Sequence, residues 1–147
     1  MSKNKSEREG ILVKIRLDFK GKGRKNFLFK GRSTEKAAED TREHQLALFR
    51  NIPVQGAEIL DIDAGNEVYT VFDDLNNSEV AYAPLILTIR ADSLESLLKF
   101  TARDEFRKIE VLDPSEMILG HNDLERVLYQ VYEEIKEVRS SLERRYN

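Results

Sequence analysis

Five apolar residues stand at every second position of one short run: Ile11, Val13, Ile15, Leu17 and Phe19. Leu12, Lys14, Arg16, Asp18 and Lys20 fill the places between. A period of two belongs to an extended strand, whose side chains alternate between two faces. One face must be buried and the other is basic. Such a strand needs neighbours in a sheet and a layer over its apolar side.

The rest of the chain offers both. Gly21-Lys22-Gly23 are turn residues, and Asn26 to Lys30, with Phe27 and Phe29, reads as a return strand. Residues 11–31 therefore predict a hairpin with its tip at Lys20 to Lys25. Ser33 is a suitable N-cap for a helix to about Arg50, ended by Asn51, Pro53 and Gly56. Ala57 to Asp63 and Glu67 to Phe72 read as strands. Gly65-Asn66 between them suggests a two-residue hairpin turn. Asp73 to Ser78 is a polar loop.

Val80 to Arg90 is the next strand, with regular pairing expected from Leu85 because Pro84 lacks an N–H. Asp92-Ser93-Leu94-Glu95 starts a short helix with a capping-box pattern. Phe106 to Leu112 is a strand. Asn122 or Asp123 caps a final helix to about Arg145. The fold expected is α+β: a mostly antiparallel sheet of about six strands in the order β-β-α-β-β-β-α-β-α, with three helices. From Leu85 the pattern β-α-β-α matches half of a ferredoxin-like split unit. Residues 1–9 read as a flexible arm and 10–147 as a single α+β domain. A subdivision near residue 52 is the second reading.

The last helix carries the clearest interaction signal. Leu124, Leu128, Val131, Ile135, Val138 and Leu142 are spaced 4, 3, 4, 3, 4, a heptad stripe held for nearly three heptads. A helix of about 25 residues spans roughly 38 Å, longer than the short strands it would pack on. Its end should overhang and meet a partner through Leu128, Val131, Ile135, Val138 and Leu142.

Charge is the second signal. The net value of −3 hides 14 Lys and Arg against 7 Asp and Glu in residues 1–50, and 10 against 20 thereafter. The basic part would offer Lys20, Lys22, Arg24, Lys25, Lys30 and Arg32 to an acidic surface. That surface is a nucleic-acid backbone, another protein, the acidic part of a second copy, or the acidic body of the same molecule. Phe19, Phe27 and Phe29 share the expected core side, so base stacking is not expected from them.

Several chemistries are excluded or weak. With no cysteine, there is no disulfide, thiolate metal site or thiol nucleophile. His44 and His121 are the two histidines. No G-x-S-x-G, H-E-x-x-H or P-loop occurs. Asp61-Ile62-Asp63-Ala64-Gly65-Asn66-Glu67 opens like a calcium loop. It places Asn66 where the glycine belongs and Phe72 where the closing glutamate belongs. No apolar run approaches the length of a membrane helix, and the first ten residues lack a signal-peptide core. A cytoplasmic location is expected.

The leading expectation is a non-catalytic interaction or regulatory protein. It would need no cofactor, metal or membrane, and would pair with itself or a protein partner. A nucleic-acid binder using the basic hairpin is the second expectation. An enzyme or metal-dependent hydrolase built from Asp61, Asp63, Asp73 or His44 is the third.

Overall fold

The computed structural model describes residues 10–21 and 30–146. The elements are β1 (Ile11–Lys20), α1 (Lys30–Asn51), β2 (Ala57–Asp63), β3 (Tyr69–Asp73), β4 (Ser78–Ala91), α2 (Leu94–Thr101), β5 (Phe106–Asp113) and α3 (His121–Tyr146). The fold is α+β, with three helices and a five-stranded antiparallel sheet ordered β2-β4-β1-β5, β3 also pairing with β4.

The alternation in β1 does what its period demands. Ile11, Val13, Ile15, Leu17 and Phe19 are all buried, facing Leu85, Leu87, Ile89 and Ala91 of β4 in one core. Leu46 and Phe49 of α1 and Leu97 and Phe100 of α2 cover that face, with the Phe49 and Phe100 rings 6.4 Å apart. Each such side chain contributes about 1.5–3 kcal/mol by leaving water. β1 pairs with β4 on one edge and β5 on the other. Because β4 and β5 are each antiparallel to β1, they run parallel to each other. With α2 connecting them, they form the split β-α-β unit expected from the C-terminal half.

The return strand at 26–30 lies outside the described residues except for Lys30, which already opens α1. β4 runs along β1 from Ile11 to Lys20 and β5 from Leu12 to Leu17, so both edges of β1 are occupied there. Among the described residues five strands, not six, make the sheet.

The Gly65-Asn66 hairpin does not form. A type I′ turn needs positive φ at both central residues, and neither has it. β2 and β3 instead lie end to end along one edge of β4, pairing with Ile86–Ala91 and Ser78–Tyr82. The hairpin is β3–β4, turning at Asp73 to Ser78. There Asp73 Oδ1 accepts the N–H of Leu75 at 3.0 Å, and Asn77 adopts φ 49°.

Pro84 sits inside a continuous β4. Its partner on β1 is Asp18, whose N–H turns away to the Glu105 carbonyl at 2.8 Å. Asp18 and Pro84 are thus a non-hydrogen-bonded pair, and the nitrogen of Pro84 faces the other edge. That edge is the gap between β2 and β3. Arg42 of α1 fills the gap, donating from Nη1 to the carbonyls of Asn66 (2.7 Å) and Pro84 (3.2 Å). At the end of β1, Gly21 passes so close to α1 that a Cβ would lie 2.3 Å from the Thr34 carbonyl oxygen.

Candidate protein interface

The last helix opens at His121, slightly earlier than Asn122 or Asp123 would place it. The Gly120 carbonyl accepts the first helical bond from Leu124 (3.1 Å), and the Asp123 carboxylate accepts the Gly120 N–H (3.0 Å). That carboxylate also suits the positive end of the helix dipole. At 26 residues α3 is about 39 Å long, and α2, its neighbour in the fold, is about 12 Å.

Only part of α3 is supported. Arg126 Nε reaches Glu95 Oε1 on α2 at 3.2 Å, and the same guanidinium pairs with Asp123. Asp123, Val127, Gln130, Val131, Glu133, Glu134 and Ser140 are partly covered. At 100° per residue the centre of this covered side lies about 100° from the centre of the heptad stripe, with Val131 common to both. The stripe therefore lies beside the contact with α2. Leu124, Leu128, Ile135, Val138 and Leu142 are 45–59% exposed, and Val131 is half-buried. Beside them, Tyr129 and Tyr132 stand exposed with rings 6.1 Å apart. The Tyr129 hydroxyl is held above its ordinary value by a hydrogen bond to Glu133. Farther along, a groove of about 1170 Å³ opens between the C-terminal half of α3 and the end of α2, bordered by Lys99, Arg103, Glu137 and Arg144 and by Val138 and Leu142 of the stripe.

The other face of the sheet carries no described helix. Lys14, Arg16 and Lys108 surround a depression of about 360 Å³ together with Asp61, Asp63 and Glu110. Basic and acidic side chains balance there. Asp18, 2% exposed, lies on this face. It accepts from Arg16 Nε (2.8 Å) and Nη2 (3.0 Å) and from the Tyr69 hydroxyl (2.5 Å), and Arg107 Nε lies 3.8 Å away. Burial and the bond to Asp18 hold the Tyr69 hydroxyl above its ordinary value. Arg107 stacks on Tyr82, which stacks on Tyr69. The cluster pins β3 to β1 across β4.

Of the basic residues singled out in the sequence, Lys20 ends β1 and is exposed. Lys22, Arg24 and Lys25 lie outside the described residues. Lys30 and Arg32 belong to the first turn of α1, not to a strand. The acid–base candidates are not gathered. Asp61 and Asp63 lie on the open face, Asp73 closes its own turn, and His44 is exposed on α1 across the sheet. Among the described residues no group of three or more His, Asp and Glu could hold a metal ion, and no helix is long and apolar enough to cross a membrane. Comparison with protein-family models, curated proteins and solved structures finds no match.

Sequence reasoning missed the Asp18–Tyr69–Arg107 cluster. Its one local sign was an acid placed among Lys14, Arg16 and Lys20 on the outer face of β1.

Proposed function

We propose that this chain is a non-catalytic interaction protein whose docking element is α3, and that its partner is an amphipathic helix with a matching heptad stripe. The observation that carries this reading is the angular offset between the side of α3 resting on α2 and its apolar stripe. A helix packed only on its own domain turns its apolar side inward. Here five of six stripe residues keep nearly half or more of their surface in water. Heptad spacing suits knobs-into-holes packing against another helix rather than against a sheet. The nucleic-acid reading has less support, since Lys14, Arg16 and Lys108 stand among Asp61, Asp63 and Glu110.

The double substitution I135D/V138D tests the reading, with melting temperature and binding of an apolar fluorescent dye as readouts. Measured at a dilution that leaves the chain monomeric, an exposed docking stripe predicts a melting temperature within a few degrees of the parent and a loss of dye binding. A large fall in melting temperature makes the stripe part of the core and overturns the reading.

A further inference from the structure

Resting on that docking reading, we propose that the helix received by α3 is α3 of a second copy, in antiparallel register about a twofold axis level with Glu133. Three features support the self-pairing.

The first is the order of side chains along the stripe. Leu128, Ile135 and Leu142 occupy one class of heptad position, and Leu124, Val131 and Val138 the other. Antiparallel pairing matches one class against the other. The layers are then Leu124 with Leu142, Leu128 with Val138, and Val131 with Ile135, each formed twice, with none left over. A parallel pair would put leucine at a and valine at d in four of its layers. That reverses the preference of a two-stranded parallel coil.

The second is charge. Glu125, Tyr132 and Arg139 flank the stripe on the side away from α2, and all three are exposed. Among the described residues neither Glu125 nor Arg139 makes an ion pair. The same register sets Glu125 against Arg139 of the second copy twice, and Tyr132 against its own twin at the axis. On the other flank Glu134 meets Glu134, an opposing contact. That side chain is tied along its own helix by Gln130 Nε2 at 2.9 Å.

The third is support. α2 is about 12 Å long against about 39 Å for α3, so the C-terminal half of α3 overhangs. Antiparallel pairing lays each overhang on the half of its twin that the domain holds. Parallel pairing would leave both overhangs resting only on each other.

Light scattering and sedimentation equilibrium on the full chain should give twice 17.1 kDa. Reversing one charge, R139E, turns both flanking pairs into like-charge contacts and should weaken the dimer about tenfold, from two surface pairs at roughly 0.7 kcal/mol each. E125R/R139E should restore it, and E134R/R139E should not. The chain has no cysteine, so single cysteines are clean probes. Y132C should oxidise to a linked dimer, and I135C should not. A monomer at 200 µM overturns self-pairing. It leaves the docking reading standing if I135D/V138D still folds, and that variant's unfolding would remove both. Rescue by E134R/R139E, linkage through I135C, or a trimer or tetramer overturns the antiparallel register.

Discussion

Asp18 shows how one residue ties distant parts of the chain together. It is a buried carboxylate serving two guanidinium groups and one hydroxyl drawn from three strands. Replacing it with alanine removes the shared acceptor and leaves Arg16, Arg107 and Tyr69 facing one another. Breaking a buried ion pair costs about 3–5 kcal/mol. Both arginines keep roughly 40% of their side chains in water, which favours the lower end of that range. Urea unfolding of D18A should show a loss of about 3 kcal/mol, and an unchanged midpoint would remove the cluster's structural role. Tyr69 adds a pH dependence. Its hydroxyl is raised above the usual tyrosine range near pH 10, so the folded state holds that proton more tightly than the unfolded chain. The resulting stability is complete below the ordinary value and is lost as pH rises through the raised one. Melting temperature should fall more steeply between pH 9.5 and 11 in the parent than in Y69F, and parallel slopes would refute this.

At the scale of elements, the interrupted edge formed by β2 and β3 depends on Arg42. Charged donors to carbonyls contribute about 1.5–3 kcal/mol when sheltered and less where water competes. R42A should cost about 1–2 kcal/mol in denaturant unfolding and speed amide exchange around residues 64–68. Unchanged exchange would mean that the gap closes without it. This gap also marks the limit of what residue patterns reveal. β1, α2 and α3 were legible because each carries its own period. Ile11 to Phe19 alternate, Leu97 and Phe100 share a helical side, and the α3 stripe repeats every seven. Gly65-Asn66 misled because turn residues announce local reversal, while β2 pairs with β4 more than 20 residues away and β3 turns back at Asp73 to Ser78 instead. Pro84 misled for the same reason: its missing N–H is harmless only beside a break in the neighbouring strand. The α3 stripe was legible as a heptad repeat. The side on which α3 rests was not, because Val127 and Gln130 look no more inward than Leu128 until α2 is in place.

For the whole molecule, the uneven charge along the chain is partly reconciled within the fold. Basic β1 lies between β4 and β5, with Asp61 and Asp63 one strand beyond β4 and Glu110 on β5. The unsatisfied surface is mainly apolar. It comprises the stripe of α3, the segment before it where Ile118 is 99% exposed, and the tip of the β3–β4 hairpin with Leu75. The hairpin tip and the Ile118 segment lie at opposite ends of the sheet, since β4 runs from Ser78 beside one to Ala91 near the other. Among the described residues only the α3 surface carries a heptad repeat.

The place of β1 also sets a schedule. This strand is made first, yet it lies between two strands that arrive late: Ile11 pairs with Ala91, and Leu12 with Asp113. At roughly 5–20 residues per second of synthesis, its apolar side waits about 5–20 s for its second neighbour. Pairings across 80 to 100 residues also belong to chains that fold in milliseconds to seconds rather than microseconds. During that interval the five apolar residues of β1 lack the partners that bury them in the folded chain.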